Sequence, residues 1–336
     1  MKKISMIVLC LMLCISLLAA CGGNGSTTTG SGADQIWTIV HATDETRYSP
    51  NSRATLYFGQ LLYERSGGRL ILDAFFDAAL GNEREITEAV DAGLMDMGVV
   101  TSGFLAPFSS DWYVLDLPYV FLTREDMYRA YDGALGAYLK DSIRAASNIE
   151  VLAFLDGGFR ALLTSAPVAT LEDLRRLRIR VVPNEMNLAL YNAWGSAAVP
   201  VPFGETYMAL QLGTVDGADT SVFFHRDALF YEVTEYMTQT NHAAFNLCVI
   251  INQDFLNNLP ADLQEILLQA AHDAYNVQQR IYVSSLEGDA FAEVFTGVTD
   301  VPLTNAAKQD FIDASRPVLD IYRDQISPAL FEILGL

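Results

Sequence analysis

From Ile36 onward, short apolar runs alternate with amphipathic helical stretches, and that rhythm admits few folds. Ile36 to His41 reads as a strand. Pro50 to Arg65 reads as a helix, with Leu56, Phe58, Leu61 and Leu62 supplying much of one face. Gly67-Gly68 turns the chain into a strand from Arg69 to Phe76. Asn82 to Ala92 is helical and Leu94 to Val100 extended. Strands alternating with helices in this way predict α/β units on a mainly parallel sheet.

A second series follows. Thr123-Arg-Glu-Asp126 and Thr170-Leu-Glu-Asp173 start helices, each with a Thr cap and an acidic third position. Val151 to Leu155 and Arg160 to Thr164 read as strands separated by Gly157-Gly158. Leu177 to Val182 is a strand, Asn184 to Trp194 a helix, Phe203 to Leu212 a short helix, and Val215 to Ala218 and Phe245 to Asn252 strands. From Pro260 to about Thr296 there is no proline and only Gly288 interrupts, so one long helix is expected, followed by a helical region from Asn305.

The N-terminus reads as an address. Lys2 and Lys3 precede an apolar run, Ile4 to Ala20, that is short for a membrane span and ends at Leu18-Ala-Ala-Cys21. A charged start, a short apolar run and small residues at the cut describe an export signal. The Cys after Leu-Ala-Ala resembles a bacterial lipobox, in which Cys21 is acylated and becomes the new N-terminus. Residues 1–20 are then a lipoprotein signal peptide and 21–34, rich in Gly, Ser and Thr, a flexible tether. Cys10 and Cys14 leave with the signal, so Cys248 alone remains in the body, inside an apolar run where it reads as a small buried hydrophobe. The formal charge of −20 repels phosphate backbones and argues against nucleic-acid binding. An anionic ligand needs a local cationic pocket.

Enzyme signatures are missing. There is no Gly-x-Ser-x-Gly elbow and no Gly-x4-Gly-Lys-Ser/Thr phosphate loop. His41, His225, His242 and His272 show no paired metal-ligand spacing. No catalytic residue, metal or cofactor is expected. One pattern does carry chemistry. Leu177-Arg-Ile-Arg-Val181 alternates, which puts Arg178 and Arg180 on one strand face. A guanidinium at a strand end suits a carboxylate, since its planar fork donates two parallel hydrogen bonds. Periodicity does not choose between the two arginines. Downstream, Phe203, Tyr207 and Leu210 share a helical side, and Phe203 at its start suits a pocket wall.

These and other segments resemble the solute-binding protein of the tripartite ATP-independent periplasmic (TRAP) transporters, of the dicarboxylate-binding DctP type. The carrying segments are Leu80-Gly-Asn-Glu-Arg-Glu85, Ala92-Gly-Leu-Met-Asp-Met97, Leu117-Pro-Tyr-Val-Phe121, Gly158-Phe-Arg160, Ile179-Arg-Val181, Pro202-Phe-Gly-Glu-Thr-Tyr207 and Val215-Asp-Gly217, in family order. The resemblance implies an α/β, two-lobed periplasmic-binding-protein-like fold with hinge strands and a long bracing C-terminal helix. It divides the chain into 35–157 plus about 246–285 as lobe I, and 158–245 plus about 286–336 as lobe II.

It also implies a receptor rather than an enzyme: a small carboxylate, such as a C4-dicarboxylate or a sugar acid, is held between the lobes and passed to TRAP membrane subunits. Arg180 takes the position that grips the carboxylate, Arg160 that of the assisting arginine, and Phe203 that of the packing aromatic. The family often continues Val-Asp-Gly with Gln-Glu-Asn, where the Asn contacts ligand. Here Thr220 offers a hydroxyl instead. Further polar contacts fall near Thr101 and at Asn246. The alternatives are a receptor for an ATP-driven importer, a lipid-anchored enzyme and a ligand-presenting sensor.

Overall fold

The computed structural model describes residues 35–335. The expected signal peptide, with Cys10 and Cys14, the expected acylation site Cys21 and the expected tether lie outside the described residues. No helix among the described residues is long and apolar enough to cross a membrane.

Ten strands form the sheet: β1 Trp37–Ala42, β2 Leu70–Phe75, β3 Met97–Thr101, β4 Ile149–Thr164, β5 Arg178–Val181, β6 Ala197–Pro200, β7 Gly217–Ser221, β8 Tyr236–Thr238, β9 Ala244–Asn252 and β10 Thr299–Asp300. The order runs β2-β1-β3-β9-β4-β7-β5-β6, with β8 pairing β4 and β10 pairing β8. The sheet is mixed rather than mainly parallel. β1 pairs β2 and β3 in parallel, and β5 pairs β6 and β7 in parallel, as helical crossovers require. The strands between these groups, β9 and β4, run antiparallel to their neighbours. Those pairings join segments far apart in sequence, so the local rhythm does not carry them.

Glycines 157 and 158 do not split β4. Pairing with β9 holds at Asp156↔Asn246 and resumes at Phe159↔Ala244, and the glycines fill the register shift between. Gly158 sits at φ +85°, a region where a side chain is strained, and its N–H donates to Asp156 Oδ1 at 2.7 Å. β3 begins later than Leu94. The N–H groups of Gly93, Leu94 and Met95 bond back to Val90 and Ala89 carbonyls and close the preceding helix, so they are not available to the sheet.

β4 and β9 are buried on both faces, and their two-residue period divides their side chains between two cores. Val151, Phe154, Cys248 and Ile250 pack with Trp112, Tyr131, Trp194 and Phe311. Ala153, Leu155, Leu247, Val249 and Ile251 pack with Ile39, Phe58, Phe245 and Tyr275. Each such aliphatic side chain contributes roughly 1.5–3 kcal/mol when fully buried. Cys248 is fully buried among them, as its apolar run predicts.

The long C-terminal helix is present with an irregular middle: α-helix over Ala261–Ala271, a π-helical stretch over His272–Gln278 and α-helix over Gln279–Gly297. Just past the π stretch, buried Gln279 donates to the Asp156 carbonyl at 2.7 Å and to Asn51 Oδ1 at 2.8 Å. The helix is thereby tied to β4 next to the glycine bulge. The helix Asn305–Arg323 is anchored through Trp194, whose Nε1 donates to Ser315 Oγ at 2.9 Å.

Candidate ligand-binding site

Strands β5, β4 and β7 contribute Arg180, Arg160 and Asp219 to one polar cluster. Arg180, at the penultimate position of β5, is 1% exposed and Arg160, in β4, is 2% exposed. Arg180 Nε donates to the Val201 carbonyl at 2.8 Å and Nη1 to the Asp219 carbonyl at 3.4 Å. No carboxylate among the described residues lies within 4.0 Å of it, which leaves a buried cation with only neutral partners. Burial first, and then the neighbouring charge of Arg160, push its pKa down to about 10.

Arg160 has a weak counterion. Its Nη1 stands 3.5 Å from Asp219 Oδ2 and makes no hydrogen bond among the described residues, and its guanidinium lies 4.5 Å from the Phe245 ring centre. His242 Nε2 is also 3.5 Å from that oxygen. Burial raises the Asp219 pKa, but Arg160 and then His242 outweigh it and hold the carboxyl at about 2. Arg178 behaves differently. Its exposed guanidinium is paired with Asp216 at 2.7 Å and donates to the Gly213 carbonyl at 2.8 Å. The β5 arginine that alternation left undecided is thus the surface member of the pair.

A pocket of about 280 Å³ is lined by Asp44, Glu83, Arg84, Phe104 and Phe203, with Asn82 and three prolines. Arg180 does not line it directly; its guanidinium lies 5.9 Å from the centre of the Phe203 ring, which does. Phe203 is held by Phe224 and Phe230, with ring centres 5.7 and 5.6 Å away. It opens a 3₁₀ turn, Phe203–Glu205, rather than the α-helix itself, which spans Thr206–Gln211.

The remaining predicted residues fall around this cluster with different degrees of freedom. Thr220 is fully buried and its hydroxyl has no partner among the described residues. Strand register places it on the same sheet face as Arg180, through Arg180↔Ala218. Thr101 donates both its N–H and its hydroxyl to Glu83 Oε1 at 2.5 Å. Its contact is with the pocket wall. Asn246 spends both amide N–H groups on the Leu115 and Ala244 carbonyls, at 2.6 and 3.1 Å, while Tyr131 donates to its oxygen.

Sequence reading passed over the acidic wall. Asp44 and Glu83 are both buried. Burial first, and then Glu83 and Glu45, push the Asp44 carboxyl well above its ordinary range, with Arg180 opposing. Burial also raises Glu83, against the two Thr101 hydrogen bonds and the charges of Arg180 and Arg160. Glu83 is the first residue of a helix capped by Asn82 and Glu85 in a reciprocal box. An acid there reads as an ordinary partner of the helix N-terminus. The available signal was its place inside Leu80-Gly-Asn-Glu-Arg-Glu85.

Residues 41–325 match the family model for the bacterial extracellular solute-binding protein, family 7, DctP. The chain is 32% identical over 260 residues to the 2,3-diketo-L-gulonate-binding periplasmic protein YiaO of Escherichia coli, covering 77% of this chain and 78% of that one. Among solved structures, it superposes on a TRAP periplasmic solute-binding protein from Roseobacter denitrificans with bound β-D-glucuronate, at TM-score 0.83 and 26% identity over 89% of this chain and 99% of that one. It shares its fold with a TRAP periplasmic solute-binding protein from Shewanella oneidensis with bound succinate, at TM-score 0.85 and 22% identity over 89% and 98% of the chains.

Proposed function

This chain belongs to the DctP family of bacterial extracellular solute-binding proteins, and on that premise we propose that it is the receptor of a TRAP-type secondary transporter, binding a small organic acid through Arg180. The observation that carries this reading is the buried Arg180 guanidinium, with backbone carbonyls but no carboxylate as its partners. Two of its five N–H groups are engaged, and a ligand carboxylate supplies the missing anion through the others. Arg160 assists from the adjacent strand, its hold on Asp219 being long enough to share. Phe203 packs on the ligand body, and the unpartnered Thr220 hydroxyl completes its polar contacts. Asn246 and Thr101 support the site from behind, as their protein partners imply.

The proposed lobes are residues 35–157 with about 246–285, and 158–245 with about 286–336. β1, β2, β3 and β9 fall in the first, β5 to β8 in the second, and β4 passes from one to the other at its glycine bulge. Closure by hinge motion across these strands would bury the ligand. The test is a melting-temperature panel of succinate, gluconate, galactonate and glucuronate. At a hundredfold excess over Kd a ligand stabilises by about 2.7 kcal/mol, worth about 4 °C in a body of this size. The bound acid is expected to be recovered chemically unchanged, and small-angle scattering to show contraction. A panel in which no acid raises the melting temperature would end this reading.

The finer placement is a lipid anchor at Cys21 that holds the body outside a membrane on the Gly/Ser/Thr-rich tether, within reach of the permease. Its support is the register of Leu18-Ala-Ala-Cys21 with the end of the apolar run. Cys21→Ser is expected to shift the exported protein from the membrane fraction to the soluble fraction. Unchanged membrane retention would remove the anchor.

A further inference from the structure

One short turn makes a row of contacts along the rim of the cleft. Pro183, Asn184 and Glu185 follow β5 and start the helix Glu185–Trp194. In the lobe division proposed above they belong to the second lobe, and each touches a residue of the first. The Pro183 carbonyl accepts from Arg84 Nη2 at 3.1 Å. Asn184 Nδ2 donates to Asp116 Oδ2 at 3.3 Å, and both residues are buried. Glu185 Oε2 accepts from the Tyr113 hydroxyl at 3.1 Å. Each partner is also held from its own side. Asn184 Oδ1 caps its helix by accepting from Asn187 N–H at 2.8 Å, Asp116 Oδ1 accepts from Ser102 Oγ at 3.1 Å, and the Tyr113 ring centre lies 4.7 Å from that of Tyr322. Pro183 and Arg84 line the pocket of about 280 Å³, whereas Asn184, Glu185, Tyr113 and Asp116 do not.

Gly103 is what lets the rim close this tightly. A Cβ at that position would stand 2.4 Å from both Asn184 Nδ2 and Asp116 Oδ2. Its φ lies outside the left-handed region, so the backbone does not demand glycine there; the close approach does. We propose that Pro183-Asn184-Glu185 is a closure latch, seated across Gly103 on Arg84, Asp116 and Tyr113, that sets how long the ligand stays rather than which ligand is recognised. The inference rests on the receptor and lobe readings above. These bonds exist when the lobes are together and are lost when they part. They therefore favour the shut form and act on the step that releases ligand, while the grip on the carboxylate stays with Arg180.

The test is stopped-flow fluorescence with the tightest of succinate, gluconate, galactonate and glucuronate, beside melting curves with and without that acid. Gly103→Ala sets a methyl group between Asn184 and Asp116, and the dissociation rate is expected to rise at least tenfold while the association rate stays within twofold of wild type. Asn184→Ser keeps a capping oxygen and removes only the latch amide, for a rise of at least threefold. Tyr113→Phe removes one hydroxyl, for a rise of at least twofold. Without ligand, all three variants are expected to melt within about 2 °C of wild type, because a latch counts only when shut. If Gly103→Ala does not fold, the other two variants carry the test. Unchanged dissociation in the folded variants overturns the latch and leaves the receptor standing. So does a loss carried by association, which would put these residues in the recognition surface of the open cleft. A melting temperature that falls equally with and without ligand would make the rim ordinary packing and also overturns it. If none of the four acids binds, the receptor reading falls and the latch falls with it.

Discussion

Arg180→Ala is expected to weaken binding of the tightest organic acid at least thirtyfold, whereas Arg178→Ala changes it less than twofold. The two side chains sit two residues apart on one strand and differ in everything that governs binding. Arg180 is buried without an anionic partner, so an incoming carboxylate takes the place of lost water. Removing one member of a buried, hydrogen-bonded charge pair costs about 2–5 kcal/mol, because the other charge stays buried and alone. At 1.4 kcal/mol per decade, about 2 kcal/mol is thirtyfold. Arg178 already has Asp216, and both lie at the surface. Arg180→Lys separates charge from shape: the ammonium keeps the charge but loses the planar fork, so an intermediate loss is expected. Calorimetry on the three variants reads all of this. Equal losses at positions 178 and 180 would take Arg180 out of its role.

What the sequence made legible follows from the range over which each signal acts. Strands and helices with local periodicity, such as Pro50–Ser66 and Met97–Thr101, were readable to within a few residues. The single long β4 was not. Its continuity across Gly157-Gly158 is enforced by β9, almost ninety residues later in the chain. The same distance effect turned the expected mainly parallel sheet into a mixed one. At the site, alternation found the pair Arg178 and Arg180 but could not rank them, because rank depends on burial and on Asp216. Asp44 and Glu83 were missed for another reason: an acid after a strand or at a helix start has an ordinary local explanation. Thr101 drew notice as a polar residue near the cleft. Its hydroxyl and N–H go to Glu83, and only the fold brings those two residues together.

The acidic wall has a consequence for stability. Glu45, next to Asp44, is buried, with Ser49 Oγ donating to its Oε2 at 2.5 Å and Asn51 Nδ2 to its Oε1 at 2.9 Å. Burial raises its pKa to about 7; the Ser49 and Asn51 hydrogen bonds oppose this, and the charges of Glu83 and Asp227 add to it. An unfolded glutamate titrates near 4.3. Between those values the folded state binds more protons than the unfolded state, so this residue's contribution to stability falls as pH rises from about 4.5 through 7. At 1.36 kcal/mol for each pKa unit the change is about 3 kcal/mol. His41 and His225 act in the opposite sense. Burial lowers both to about 4, so their contribution is lost as pH falls through the same interval. The wild-type curve therefore mixes the two trends, and Glu45→Gln isolates one. Glutamine forfeits an acceptor at every pH, a constant offset, but removes the titration. In urea unfolding at pH 5 and pH 8, wild type is expected to lose about 2–3 kcal/mol relative to Glu45→Gln on going to the higher pH. A difference between the two proteins that is the same at both pH values would mean that Glu45 ionises in the fold as easily as in the open chain, and that water reaches the inner side of the acidic wall.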